Sequence, residues 1–378
     1  MVFRAHFDLA DAERARLDAI TARVNSVFAG AGYTFVPLPV LQPAALYLDM
    51  AGEEVRDRTY LFEDPGGTEM CLRADLTIPL CRSALDAGLA MPARLSSCGP
   101  VFRFEPAKIG LPAETIQAGI ENLGAPDALG ADVEVLGLAR RAIGNGRIVA
   151  EIGDLNLFPA LIADLRLEEV WSRRLLYAFR HPSLLPAVIA EIREGRTPKP
   201  PPLIAGASQA DAERYVAGKL KRDTPDIVGG RTIAEIAERL LDKVKLARSP
   251  RPSPGDLAKI EALLAIDATT VESVAQLKAI ARQAGRLEGA IAGLEERLAG
   301  MREHLAKGDE VRVSATLGRA FLYYTGLVFD MKASGLELPL AAGGRYDRLL
   351  QDLGAKAAIP AVGCAVWPER LLAAGGAP

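Results

Sequence analysis

An α+β fold follows from the order of the strand and helix signals along the chain. Strand-rich segments occupy both ends of the 378 residues, and a long helical middle separates them. Neighbouring strands are joined by short turns rather than by crossover helices, which favours an antiparallel sheet flanked by helices over a wound parallel one. The clearest turn is Asp64-Pro65-Gly66-Gly67, set between the runs TYLFE and EMCLRA.

From the N-terminus, ADAERARLDAITARVNSVFA carries apolar residues at helical spacing, and Gly30 and Gly32 stop it. YTFVPLPVL is extended and interrupted by Pro37 and Pro39. After the hairpin, TIPLCRSALDAG reads as a helix with Pro79 in its first turn. RLSSCGPVFRFE and ETIQAGIENLG read as two strands around a loop, ADVEVLGLARRAI as an amphipathic helix and GRIVAEIGD as a strand. Residues 165–310 read as a mainly helical insertion, punctuated by the linkers REGRTPKPPPLIAGAS and ARSPRPSPGD. Its last stretch, ESVAQLKAIARQAGRLEGAIAGLEERLAGMREHL, sustains no clean heptad and reads as a packed helix pair. Strands return with EVRVSATL, FLYYTGLVFDMKA and LPLAAGG; the helix YDRLLQDLG and the strand-to-helix stretch GCAVWPERLL end the chain. Residues 1–164 and 311–378 are therefore expected to form one domain.

Composition excludes several classes. Lys plus Arg number 45 against 48 Asp plus Glu, a net charge of −3, so nothing announces a nucleic-acid partner. No apolar run is long enough to span a membrane, and the N-terminus does not resemble a signal peptide. Four cysteines without a C-x-x-C pair suit buried, reduced thiols, so a cytoplasmic location is expected. The three histidines are scattered, no P-loop occurs, and no G-x-G-x-x-G follows a strand. No metal or cofactor is expected.

Polar residues on apolar strands are the positive signal. VFRFE puts Arg103 and Glu105 on one strand face, and IQAGIE does the same with Gln117, Gly119 and Glu121. LGRAFLYYTGLVF adds Arg319, Tyr323 and Tyr324, and AAGGRYD adds glycines that let backbone approach a ligand, then Arg345 and Tyr346. A charged and aromatic sheet face marks either a binding pocket or a solvated outer surface. As a pocket it suits a small zwitterion, with arginine for a carboxylate and Gln or Glu for an ammonium group.

These segments, in this order, resemble the catalytic domain of histidyl-tRNA synthetases, a class II aminoacyl-tRNA synthetase family. GYTFVPLPVL is similar to motif 1, VFRFEPAKIGLPAETIQAGIENLG to motif 2 and GCAVWPERLL to motif 3. RAFLYYTGLVF and AAGGRYDRLL resemble the two histidine-specific signatures. The resemblance implies a class II antiparallel sheet. It also implies a histidine pocket in which Asp75, Thr77 and Gln117 face the α-amino group, and Arg103 and Arg319 the carboxylate. Glu121, Tyr323, Tyr324 and Tyr346 would line the imidazole side.

The departures from the pattern lie on the nucleotide side. Leu111 and Ala113 stand where motif 2 carries loop arginines, and Trp367 replaces a small glycine beside the motif 3 arginine, Arg370. Asp75 stands where the family has glutamate, and Leu322 where it has aspartate. Almost nothing follows motif 3, so no C-terminal anticodon-binding domain is expected. This combination resembles a truncated branch of the family, the regulatory subunits of ATP phosphoribosyltransferase. Membership would imply a non-catalytic chain that partners a short-form catalytic subunit in a four-plus-four hetero-octamer. It would also imply homodimerisation through the synthetase-like interface and histidine as the effector. The alternative is a truncated synthetase-like enzyme that still activates histidine with ATP, which needs the motif 2 arginines and an open motif 3.

Overall fold

The computed structural model describes residues 9–51, 58–104, 112–195, 206–223, 232–281, 285–318 and 322–375. Glu105, Leu111, Arg319 and most of the first predicted linker lie outside them. The chain divides into two compact units, residues 1–157, 265–284 and 288–378 in the first, and 158–264 with 285–287 in the second.

The first unit is built on a mixed, mostly antiparallel sheet, as the α+β prediction requires. Its strands in chain order are β1 (Thr34–Phe35), β5 (Ala93–Phe102), β6 (Glu114–Leu123), β7 (Ile148–Asp154), β8 (Asp267–Thr269), β9 (Glu310–Ser314), β10 (Leu327–Ala333), β11 (Ala341–Arg345) and β12 (Ala361–Val366). They lie in the order β1-β5-β6-β12-β11-β10-β7-β9-β8. Only β1–β5 and β7–β9 are parallel. The predicted hairpin forms as β3 (Leu61–Glu63) and β4 (Glu69–Leu72), and β2 (Leu41–Pro43) completes a separate three-stranded sheet. The Asp64 carboxylate accepts from the amides of Gly66 and Thr68, and Gly67 takes φ +82°, so the turn residues act as their types demand.

Helices cover both faces. Ala128–Ile143 packs on β11 and β12. Its N-terminus is capped by Asp127, whose carboxylate accepts from Gly130 N at 3.0 Å, and Arg140 and Arg141 sit in its last turn, where cations suit the dipole. On the opposite face lies Thr77–Asp86, whose Ile78, Leu80, Cys81 and Ala84 pack with Leu95, Leu123 and Tyr346. The second unit is helical, with Glu169–Arg180, Leu185–Glu194, Gln209–Asp223, Ile233–Arg248 and Pro254–Leu264. Among the described residues no helix is long and apolar enough to cross a membrane.

Three readings of the sequence are corrected. Over its described residues FLYYTGLVFDMKA is not one strand: a turn stands at Leu322 and Tyr323, β10 starts only at Leu327, and Thr325 bonds instead to the end of β11, donating its N–H to Arg345 O while its hydroxyl accepts from Asp347 N. β8 went unrecognised inside the helical stretch; three residues are too short for a periodic signal, and pairing to β9 makes them a strand. Arg345 does not share a side with Gly344, because adjacent strand residues alternate faces. It turns to the helix side, where the Asp132 carboxylate accepts from its Nε at 2.9 Å and pairs with Nη2 at 2.7 Å.

Asp132 is fully buried and also pairs with Arg297 at 2.7 Å. Removing the shared carboxylate would leave Arg297 without its anion and Arg345 with only the half-exposed Asp347. Asp132→Ala should cost about 3–5 kcal/mol, read as a lower midpoint in urea unfolding.

Candidate functional site

The candidate site lies over the middle of the large sheet, on the face away from Ala128–Ile143. Strand register decides which residues meet there. Glu121 lies opposite Gly363, and Gly363 opposite Gly344. One step along, Gly119, Ala365, Ala342 and Asp330 form a row across β6, β12, β11 and β10. Residues in register share a face, so small side chains leave the floor low. A cavity of about 100 Å³ remains above it. Asp75, Thr77, Arg103, Gln117, Tyr323, Tyr324 and Tyr346 reach it from the polar side, and Trp367 bounds it.

Glu121 is the centre of the arrangement. It is 1% exposed, and its carboxylate accepts from the Tyr346 hydroxyl and hydrogen-bonds Thr77. Burial pushes this carboxyl up to about 8; Tyr346 and Thr77 work against that shift, and the neighbouring Asp75 adds to it. A Cβ on Gly363 would fall 1.6 Å from Glu121 Oε2 and 2.6 Å from Ile120 O, so only glycine fits beneath the carboxylate. Gly344 likewise admits the Tyr324 ring, which would lie 2.9 Å from an added Cβ. Tyr323, Tyr324 and Tyr346 form an aromatic corner, with centroids 4.7, 5.9 and 6.5 Å apart.

A second cluster sits at the head of Thr77–Asp86. The Asp75 carboxylate accepts from Ile78 N at 3.1 Å, and Gln117 Oε1 accepts from Leu76 N at 3.1 Å. Burial raises Asp75, while Arg103 and the amides of Ile78 and Thr77 hold it down. The Arg103 guanidinium is anchored through Nε to Ala74 O at 2.7 Å. A carboxylate and a guanidinium thus face the same small cavity, the charge pattern of a zwitterion.

The neighbouring space is filled by the chain itself. Trp367 is 6% exposed, and the Arg370 guanidinium lies 4.0 Å from its ring centroid while donating to Pro339 O at 2.7 Å. Burial lowers Arg370 to about 10, and the Arg103 charge adds to that. Ala113 is exposed and contributes only its carbonyl, which accepts from Arg103 N at 2.9 Å. Two residues went unnoticed in the sequence. Asp330, pushed up to about 6 by burial, lines the cavity, and Tyr47 donates its hydroxyl to Asp75 O at 3.1 Å. An acid at the centre of the apolar run LVFDMKA was the signal for Asp330; nothing local marked Tyr47.

Sheet, motif order and site geometry together define a protein of the class II histidyl-tRNA synthetase type. The family model for histidyl-tRNA synthetase matches residues 6–198 and 230–371. Among solved structures, the chain is similar to an ATP phosphoribosyltransferase regulatory subunit/histidyl-tRNA synthetase from Bacillus halodurans (TM-score 0.64, 21% identity, 95% of this chain and 78% of that one). It is also similar to histidyl-tRNA synthetase from Nostoc sp. PCC 7120 (TM-score 0.60, 16% identity, 94% and 70%). Curated relatives are nearer in sequence. The ATP phosphoribosyltransferase regulatory subunit of Chelativorans sp. is 35% identical over 366 residues, covering 94% of this chain and 97% of that protein. That of Sinorhizobium fredii is 36% identical over 364 residues, covering 90% and 94%. The chain therefore belongs to the ATP phosphoribosyltransferase regulatory subunit family.

Two outcomes check this geometry. Gly363→Ala forces a methyl into the Glu121 carboxylate and should cost about 1–3 kcal/mol, read by thermal unfolding. The raised Glu121 carboxyl favours folding fully below its ordinary value of 4.5, and the benefit is lost as pH rises to about 8. Glu121→Gln should therefore gain stability relative to the parent as pH rises through this window, seen in paired melting curves.

Proposed function

We propose that this chain is a non-catalytic regulatory subunit that holds histidine in the cavity over β6, β11 and β12. In this reading a short-form ATP phosphoribosyltransferase catalytic subunit, a glycosyltransferase, depends on it for the first step of histidine biosynthesis, and histidine bound here feeds back on the complex. The observation that carries the reading is the contrast between two neighbouring spaces. Groups suited to an amino acid converge in one, and an indole with a stacked guanidinium fills the other.

Asp75, Thr77 and Gln117 would take the α-amino group, with Arg103 and Arg319 on the carboxylate. Glu121, Tyr323, Tyr324 and Tyr346 would read the imidazole. A largely protonated Glu121 at neutral pH offers the ring a donor or an acceptor through the same carboxyl. On the nucleotide side, Trp367 and Arg370 occupy volume, and Leu111 and Ala113 supply no cation where adenylate chemistry needs positioned charge. Assembly is proposed as a cytoplasmic four-plus-four hetero-octamer, with homodimerisation through the synthetase-like interface and no cofactor. Histidine would act by binding one conformation of the complex better than another.

Co-expression with a short catalytic subunit should yield a stable complex whose phosphoribosyl transfer exceeds that of the catalytic subunit alone. In calorimetry on that complex, Arg103→Ala or Glu121→Ala should weaken histidine binding at least about tenfold, the loss of one contact worth about 1.5–3 kcal/mol. Unchanged affinity would place the effector site elsewhere. ATP–pyrophosphate exchange with histidine should stay at background; exchange at synthetase rates would favour the truncated, active enzyme.

A further inference from the structure

A second polar concavity lies in the first unit, at the far end of Ala128–Ile143. This cleft of about 540 Å³ is bounded by Arg140 and Arg141, the loop Gly144-Asn145-Gly146-Arg147 and the turn His304-Leu305-Ala306-Lys307. Four of these residues are permanent cations, and none is an acid.

The frame around it is tightly determined. Arg140 is 5% exposed and donates to Gly144 O at 2.6 Å, Gly146 O at 3.0 Å and the Asp309 carboxylate at 2.6 and 3.2 Å. It therefore pins the loop to the turn. Arg23 donates to Ala142 O at 2.9 Å and caps the same helix end. Asp309, the nearest acid in this network, is saturated. Besides Arg140, its carboxylate accepts from Ile148 N at 3.2 Å and Ala306 N at 2.8 Å. Nothing of it remains to neutralise Arg141, Arg147 or Lys307, and none of these three has a carboxylate partner among the described residues. Gly144 and Gly146 take φ +80° and +116°, and the amides of Asn145, Gly146 and Arg147 have no acceptor among the described residues. Unbonded amides in a loop with left-handed residues, ringed by arginine and lysine, suit oxyanions.

We propose that this cleft binds a phosphate-bearing small anion of at least two phosphates. Three cations without a carboxylate partner, less the roughly half charge that the helix C-terminus takes from Arg141, still exceed the charge of a single phosphate, and the volume falls in the range of about 300–1,000 Å³ typical of ligand sites. Arg141 stands on the helix itself, and Arg140 ties the loop that carries Arg147 to the turn that carries Lys307, so little ordering is needed on binding. The site is separate from the histidine cavity and stands without the regulatory reading.

The probe is inorganic pyrophosphate, titrated calorimetrically into the full chain at low salt. Saturable binding is expected that weakens with ionic strength and falls at least tenfold in Arg147→Glu/Lys307→Glu. Both side chains are exposed, so the double variant should melt like the parent. ATP in a parallel titration identifies the source: tighter binding than pyrophosphate indicates a nucleotide, equal binding a bare polyphosphate. No saturable binding, or binding that the double variant leaves unchanged, overturns the proposal. Loss of assembly with the catalytic subunit in a variant whose parent binds no pyrophosphate also overturns it, and makes the cleft a protein contact. Histidine titration of the same variant should match the parent, so failure here does not touch the histidine reading.

Discussion

The site is organised by one constraint, the burial of the Glu121 carboxyl on the sheet. A carboxyl at this depth is tolerated only if its oxygens are satisfied or it keeps its proton. Tyr346 and Thr77 supply the hydrogen bonds, and burial keeps the proton to about pH 8. Each partner carries its own requirement. Tyr346 must leave β11 just after Arg345, Thr77 must open its helix at the right height, and Gly363 must lack a side chain beneath the carboxyl. A single polar group thus ties together strands β6, β11 and β12 and the helix that covers them.

Charge is handled differently on the two faces of the sheet. On the helix side, Asp132 holds Arg345 and Arg297, and Asp309 holds Arg140, in closed networks where both of these buried carboxylates are ion-paired. These networks fix elements in place and offer nothing to a ligand. On the cavity side the groups are only partly satisfied by the chain. Asp75 and Arg103 take main-chain anchors and leave their charged ends at a shared space. Where a cavity is to be closed, the chain uses a large apolar group instead: Trp367 occupies volume, and Arg370 stacks on it rather than facing solvent. The same logic separates the basic cleft from the networks behind it, because Asp309 is already saturated by Arg140 and two amides.

The legibility of individual elements followed the range of the forces that make them. The hairpin around Asp64, the helix capped by Asp127 and the alternation of Gln117, Gly119 and Glu121 depend on neighbours a few residues away, and each was readable. FLYYTGLVFDMKA was over-read as a strand because aromatic residues carry β propensity wherever they stand. The hydrogen bonds that hold Thr325 outside the strand come from Arg345 and Asp347, about twenty residues on. Tyr47 and Asp330 escaped notice for the same reason: their place at the site depends on partners distant in sequence.

The amino-acid sequence by itself determined the fold class, the order of the motifs and the chemical types on the site strands, because periodicity, turn chemistry and motif order are local or linear properties. It also contained Leu111, Ala113 and Trp367, the departures from the synthetase pattern on which the proposal for the nucleotide side rests. Tertiary structure alone decided which residues face one another. Register put Gly363 under Glu121, and strand parity sent Arg345 to Asp132 rather than into the cavity. Those outcomes arise from strand pairing and close packing between segments up to some 250 residues apart, a distance over which no local pattern in the chain carries information.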